Sequence, residues 1–457
     1  MTMKNYILLI LLISTCSASC KKYLDAKPQS SLATIENLQD LQALLDNTKQ
    51  LNGDDYGVGS FPIFGELGTD DYIMNEEYLN YIFIDRRNAY LWKQDIFEGQ
   101  PSVDWNNAYQ GIFYTNYILE QLENFERNPG NSIYWDNIKG SALFYRSWIY
   151  FNLVQLFSPQ YQQNNAKTAL GLPLVFSSNI YQNISRANLE DTYAQILLDL
   201  KSAISFLPTK AIYNTRPSKA AAYSLFSNIY LQQSNYNQAK LYADSVLLLQ
   251  NNLIDYNSIT NTAFPFSYKN PEVIFLASNS DSYINAEGAS QVDTSLMKTY
   301  AFTDLRKALF FNESAPNVYN FKGNYTGYDK FFCGYAVDEI YLIRAEAKAR
   351  LGNTNSALED LNLLLSKRYE NGTFNPYKNL TQSEVIKLIL LERRKELIFR
   401  SRRWPDLKRL NLSPAFAVTL KRVIENNTIT LPPNDKRYVY PIPNDVIVRS
   451  NIPQNER

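Results

Sequence analysis

Hydrophobic positions recur every three or four residues along much of this chain, and those stretches set its architecture. Ile35, Leu38, Leu41, Leu44 and Leu45 share one face of 34–47, the spacing of an amphipathic helix. The period is lost from Leu51 to about Trp105, where Gly, Asp, Tyr and Pro accumulate. That region is predicted to be loop with short elements. The helical period resumes over 103–125 through Trp105, Ala108, Ile112, Tyr117, Ile118 and Leu122. It returns over 139–157 through Ala142, Tyr145, Ile149, Leu153 and Leu156, and Pro159 stops it. Asn188 is placed to N-cap the next helix, with Asp191 three residues on and Pro208 just past the end.

Two further stretches read as pairs of helices. One is 218–249, broken at Ser234–Asn235; the other is 337–368, broken at Gly352–Asn353. Aligned on their turns, Ser234 matches Gly352, and Ala239 matches Ala357 five residues later. A small residue there lets the second helix approach the first. Helix, short turn, helix with a small crossing residue resembles the tetratricopeptide repeat, although a plain helical hairpin has the same outline. The helices at 139–157 and 189–206 form a third such pair, separated by an insert. Between the 218–249 and 337–368 pairs, 250–336 is rich in Asn, Ser, Tyr and Phe, with one strand expected at 272–278. Thr381 and Glu384 have capping-box spacing at the start of 381–410. The proline-bearing tail from Tyr438 onward is expected to run as an extended strap rather than a helix.

The first twenty residues follow another logic. Lys4 precedes an apolar run from Tyr6 to Ile13. That is a signal-peptide core, well short of the roughly 18 residues that span a bilayer. Small residues follow, then cysteine, as in a bacterial lipoprotein signal. Cys16 has apolar Ile13 at −3 but Thr15 at −1; Cys20 has Ser19 at −1 but Ser17 at −3. The charged stretch "KKYLDAKP" begins directly after Cys20, so Cys20 is the expected lipid attachment site. A zinc site is not supported by three cysteines and no histidine. A single disulfide to Cys333 is the other use the count allows.

Composition narrows the chemistry. With 45 basic and 45 acidic side chains, the chain lacks the basic excess of a nucleic-acid binder. Zero histidines exclude Ser-His-Asp and Cys-His catalysis within the chain. No phosphate loop and no G-x-S-x-G elbow occurs; "GVGS" at 57–60 has neither the lysine nor the helix that would give it meaning. The acidic clusters Asp54–Asp55, Glu66 and Asp70–Asp71 have the residue types of a glycosidase pair or of calcium ligands. Capping of turns explains them as well. The run "ERRKE…FRSRRW" at 392–404 reads as a salt-bridged helix face, with an anion site as the sharper alternative.

Tyrosine is abundant, with 34 residues. Those inside helices are assigned to the core. Those in the irregular stretches, Tyr56, Tyr72, Tyr78, Tyr81, Tyr90, Tyr283, Tyr325 and Tyr328, are different. A flat ring stacks on the C–H face of a sugar, and nearby Asp, Asn or Arg side chains bond its hydroxyls. Loop tyrosines also simply pack their own loops. From loop position and flanking polar groups, the ligand-binding candidates are Asp71, Tyr78, Tyr81, Arg86, Tyr283 and Tyr325.

In order along the chain, the segments "KKYLDAKP" after a cysteine, "ELGTDD", "LWKQDIF", "WNNAYQGIFYTNYILEQL", "SALFYRSWIYFNLVQLF", "GLPLV", "DEIYLIRAEAKARLGNTNSALEDLN", "LERRKELIFRSRRWPDLKRL" and "YPIPNDVI" resemble the SusD/RagB family of outer-membrane nutrient-binding lipoproteins. Each piece alone is weakly specific; the ordered set is not. There are departures. Arg400–Ser401 stands where the family usually has an acidic residue and glycine, and the chain ends Gln454–Asn455–Glu456–Arg457 rather than near Q-N-P-G-Y.

The resemblance implies a mainly α fold with four tetratricopeptide-like units and long irregular inserts. The domain layout is then a signal peptide at 1–19, a lipid-anchored linker at 20–33, and one SusD-like domain at 34–457. It implies a cell-surface lipoprotein on the outer membrane of a Gram-negative bacterium. Such a protein captures oligosaccharide and delivers it to a SusC-like TonB-dependent barrel transporter, with no cofactor and no bond broken. Lys21 after the cysteine is compatible with that sorting. The repeat face would meet the barrel and the tyrosine loops the ligand. Two other readings remain beside it: a lipid-anchored tetratricopeptide scaffold for protein partners, and a glycoside hydrolase using the acidic clusters.

Overall fold

The computed structural model describes residues 35–53, 59–279, 283–284 and 286–457. The expectations at Cys16, Cys20, Asp54, Asp55 and Tyr56 fall outside these residues, as do the signal and linker segments.

The first helix, α1 (Leu38–Leu45), starts at Asn37, whose side chain and that of Asp40 close a reciprocal capping box. Short elements follow, as the loss of period predicts: helices Thr48–Leu51, Phe64–Leu67 and Ile84–Tyr90, and strand β1 (Tyr72–Met74). The long helices are α2 (Val103–Leu122), α3 (Ser132–Phe157), α4 (Leu189–Phe206), α5 (Lys219–Gln232), α6 (Tyr236–Leu249), α7 (Val337–Arg350), α8 (Thr354–Ser366) and α9 (Gln382–Glu396). They pack as neighbours in chain order: α2 on α3, α3 on α4, α5 on α6, α6 on α7, and α7 on both α8 and α9. The expected helix pairs are therefore present as a stacked array.

Local chemistry accounts for the boundaries. The Asn188 side chain accepts from the Asp191 N–H at 2.7 Å and opens α4. Thr381 and Glu384 make both bonds of their capping box and open α9. Between paired helices the chain passes through the left-handed region, at Ser234 (φ +57°) and Gly352 (φ +86°). Ala239 and Ala357 are fully buried one turn later, where the helices cross. Helix α3 is buried on all faces from Gly140 to Phe157, which marks it as the central helix of the core. It begins at Ser132, one to two turns before the stretch that the apolar stripe identifies.

The strands are short, and among the described residues they form two-stranded antiparallel pairs. The expected strand at 272–278 appears as Val273–Phe275, followed by Ser278–Asn279. The tail departs from expectation. Pro443 sets up a helix, Asn444–Ser450, inside the supposed strap, because proline is favourable at a helix start while it stops one further in. Cys333 carries a free thiol in the core.

The charge run at 392–404, which begins in the last turns of α9, is ion-paired, but it faces inward. Glu392, Arg393, Lys395 and Glu396 are all buried. Arg306 reaches Asp304 at 2.7 Å, Glu392 at 2.6 Å and Glu396 at 3.0 Å. Arg368 joins Glu396 at 2.7 Å to Glu272 at 3.0 Å. Arg393 pairs with Asp406, Arg400 with Asp338, and Arg402 with Glu339. Apart from Glu392 and Glu396, the partners, Glu272, Asp304, Arg306, Asp338, Glu339, Arg368 and Asp406, lie outside the run, so the spacing within 392–404 could not reveal that this face is covered. Phe399 and Ser401 both have positive φ, and the Ser401 N–H donates to Glu66.

Candidate ligand-binding platform

Strand β1 pairs antiparallel with β2 (Ser290–Val292), Tyr72 opposite Val292 and Met74 opposite Ser290. Alternation along β1 turns Tyr72 and Met74 inward and Ile73 outward. The Tyr90 hydroxyl accepts from the Met74 N–H at 2.9 Å, and the Tyr72 hydroxyl donates to the Leu67 carbonyl at 2.9 Å. These two tyrosines are therefore structural.

Beyond β1 the chain enters a 3-10 turn, Glu76–Asn80, capped by the Asn75 side chain. Asn75 also ties this loop to the insert. Its N–H donates to the Ala289 carbonyl at 2.8 Å, and its amide to the Gly288 carbonyl at 3.3 Å. Leu79 and Ile82 point into the core. Their burial turns the neighbouring rings outward: Tyr78 is 37% exposed, Tyr81 78% and Phe83 69%. From the other loop, the Tyr283 hydroxyl approaches the Tyr81 carbonyl at 3.5 Å. Its ring meets Phe83 edge-on with centroids 6.4 Å apart. Gly288 (φ +82°) passes so close that a Cβ there would lie 3.6 Å from the Tyr78 hydroxyl.

Three of the six candidates, Tyr78, Tyr81 and Tyr283, thus come together on one ledge, although about 200 residues separate them along the chain. Phe83 belongs to the same ledge and was not among the candidates. Its position next to buried Ile82, directly before the helix at Ile84, is the signal that it must face out.

The other three candidates do not stand on this ledge: Asp71 and Tyr325 are buried, and Arg86 is half-buried in ion pairs, so the expectation that they contact a ligand is not met by their placement. Asp71 is buried, with its carboxylate accepting from Arg394 Nε at 2.7 Å. Burial, opposed by Arg394, leaves its carboxyl above the usual range. Burial also opposes ionisation of Asp70, but Arg403 and Arg394 outweigh it and hold that group well below the range. Arg86 is clamped by Asp85 and by Asp104, the latter at 3.3 Å, and lies over the Phe64 ring. Tyr325 is fully buried; it shares a hydrogen bond with Tyr256 at 2.9 Å and donates to Glu272 at 2.8 Å. Glu66 is buried too, and burial together with Asp71 pushes its carboxyl up to about 8.

Among the described residues no cluster of His, Cys, Asp and Glu is arranged to hold a metal ion. The carboxylates that sequence offered for acid–base or calcium chemistry at 66–71 are engaged inside the protein.

Residues 22–231 match a family model described as starch-binding associating with outer membrane, of the SusD-like type. Residues 335–456 match the model of the SusD family itself. The chain belongs to the SusD family. SusD-like protein P2 of Formosa agariphila is 24% identical over 425 residues, spanning 78% of this chain and 80% of that protein. A putative sugar binding protein from Bacteroides vulgatus shares the fold with a TM-score of 0.74 at 22% identity, over 93% of this chain and 99% of its own. A SusD superfamily protein from Bacteroides thetaiotaomicron gives 0.74 at 20% identity, over 92% and 100%. Residues 232–334 of this SusD-family chain lie outside both matched ranges, and they supply Tyr283 and Gly288, one side of the ledge.

Proposed function

We propose that this protein binds oligosaccharides at the cell surface and delivers them to a SusC-like TonB-dependent transporter in the outer membrane. The observation that carries the reading is a cluster of rings, the exposed Tyr78, Tyr81 and Phe83 with the half-buried Tyr283, held on a SusD scaffold by buried anchors and backbone hydrogen bonds. Such rings offer flat apolar area to the C–H faces of sugars, and the tyrosine hydroxyls and nearby Asn75 offer polar partners to their hydroxyls. The rings are positioned before ligand arrives, which limits the ordering cost of binding.

The outer-membrane association of the matched family and the sugar-binding description of a structural neighbour support this reading. Among the described residues no helix is long and apolar enough to cross a membrane. Attachment is assigned to lipid on Cys20. The protein acts by binding, without bond cleavage: Asp70 and Asp71 are committed to arginines, and Glu66 lies in the core.

Calorimetric titration with a panel of oligosaccharides tests the proposal, comparing the wild type with Tyr81→Ala and Tyr283→Ala. At least tenfold weaker binding with unchanged unfolding midpoints is expected. Full retention of affinity in both variants would place the ligand elsewhere. For the anchor, Cys20→Ser protein should leave the membrane fraction.

A further inference from the structure

The two segments that build the ledge contain no basic residue. From Tyr72 to Ile84 the chain has no Lys or Arg, and the same is true from Asn270 to Met297. Both carry carboxylates. Glu76 and Glu77 immediately precede Tyr78 and are exposed. Glu287 is exposed beside Gly288, the residue that passes against the Tyr78 hydroxyl. A third element adds another. The hairpin of Leu420–Ile424 with Asn427–Leu431 turns through Glu425 and Asn426, both at positive φ, as a type I′ turn requires. The Glu425 N–H donates to the Glu76 carboxylate at 3.1 Å, which brings this exposed turn to the rim.

Arg87, one helical turn past Phe83 and half-buried, is a basic side chain at the edge. Arg86 is already neutralised by Asp85 and Asp104. The rim therefore carries Glu76, Glu77, Glu287 and Glu425 against Arg87, with the exposed Lys421 four residues before the hairpin turn, so carboxylates outnumber cations around the exposed rings.

Resting on the carbohydrate reading above, we infer that this platform accepts uncharged or amino-bearing oligosaccharides and rejects those bearing uronate or sulfate groups. Stacking on a ring is indifferent to charge, so the rings alone would take any sugar with an open C–H face. Selection then falls to the rim. A carboxylate or sulfate on the sugar would come within a Debye length, about 8 Å at physiological salt, of several like charges. The two ledge segments, 72–84 and 270–297, hold no Lys or Arg to compensate. Discrimination by repulsion of the wrong ligand needs no additional contact with the right one.

The test uses matched pairs of oligosaccharides on the same backbone: xylo-oligosaccharides without and with glucuronate branches, glucans without and with sulfate, and chitin fragments before and after deacetylation. Binding of each is measured at 20 mM and 500 mM salt. For whichever backbone binds, the anionic partner should bind at least tenfold more weakly at 20 mM salt, and a deacetylated chitin fragment should bind at least as tightly as the acetylated one. The gap should narrow at 500 mM salt and in the Glu76→Gln/Glu77→Gln/Glu287→Gln variant. Equal or tighter binding of the anionic partner overturns the inference and leaves the carbohydrate reading standing. A gap that the triple variant leaves unchanged also overturns it, because the rim would not be its source. Absence of binding to every sugar, charged or not, removes the carbohydrate reading and this inference with it.

Discussion

The guanidinium of Arg368 and the carboxylate of Glu396 meet at 2.7 Å with neither side chain exposed. Glu396 also accepts from Arg306 at 3.0 Å, so one carboxylate serves two buried cations. Burial alone would raise its pKa, but Arg368, Arg306 and Arg400 outweigh that and hold the group below the usual range. Replacing one member of such a cluster leaves its partners desolvated and unpaired, at a cost of about 3–5 kcal/mol. Glu396→Gln is expected to lose stability on that scale, seen as a lower urea midpoint with an unchanged slope. A loss under about 1 kcal/mol would mean that water reaches the cluster.

Glu66 gives the protein a pH dependence of definite sign. Its carboxyl is pushed up from 4.5 to about 8, first by burial and then by Asp71. The folded state therefore holds this proton more tightly than the unfolded chain does. This group's contribution to stability is full below pH 4.5, declines as pH rises, and is lost above about 8. Glu66→Gln keeps an acceptor for the Ser401 N–H and removes the titration. Relative to the wild type, the variant should become steadily more stable between pH 5 and pH 8.5. Parallel stability curves for the two proteins over that range would show that Glu66 is ionised in the fold.

The helical scaffold was legible because its signals are local. Asn188 with Asp191, and Thr381 with Glu384, act within one turn. Ala239 and Ala357 mark helix crossings by size alone. The ledge was half legible. Tyr78, Tyr81 and Tyr283 stood out as aromatics in irregular chain, but Asp71, Arg86 and Tyr325 share that context, and Asp71 and Tyr325 are buried while Arg86 is half-buried in ion pairs. What separates the two groups is long-range: Arg394 covers Asp71 from 323 residues away, and Glu272 receives Tyr325 from 53. No period or motif encodes which loop folds beneath another. The helix at Asn444–Ser450 was obscured by neighbouring prolines, whose effect depends on whether they begin a helix or interrupt one.

The turn between α5 and α6 holds a non-glycine residue in the left-handed region, Ser234 at φ +57°, where an L side chain costs about 1–2 kcal/mol. Its counterpart between α7 and α8 is Gly352, with open space around it. Ser234→Gly is expected to raise stability by up to about 1 kcal/mol, since glycine also gives the unfolded chain more freedom. Gly352→Ala is expected to lower it by about the same amount. Equilibrium unfolding of both variants checks the pair, and effects of the same sign would contradict the equivalence of the two turns.

Enlarging the crossing residues should be far more damaging than changing the turns. Ala239 and Ala357 are fully buried between paired helices, and interiors this dense have no room for added methylenes. Ala239→Leu and Ala357→Leu should each cost about 1–3 kcal/mol. Because α6 also packs on α7, the Ala239 substitution should weaken protection of amides in α7 as well as in its own pair. Hydrogen exchange restricted to α5 and α6 would show that the array does not transmit the strain.

Lys408 supplies the opposite pH signature to Glu66. It lies in the helix Arg403–Leu410, is buried, and donates to the carbonyls of Gln155 at 2.6 Å and Ser158 at 2.6 Å. Those carbonyls belong to the end of α3, where the last turn has no helical donors of its own. A lysine from another helix thus caps the central helix of the fold. Burial lowers its ammonium from 10.5 to about 7. The unfolded chain then binds this proton more tightly than the folded one between those values. The contribution of Lys408 is full above pH 10.5 and falls as pH drops through 7. A neutral amine still donates to both carbonyls, whereas Lys408→Met donates to neither. The stability difference between the wild type and Lys408→Met should therefore grow in favour of the wild type as pH rises from 7 to 10. A difference that stays constant over that range would mean the amine keeps its proton in the folded protein.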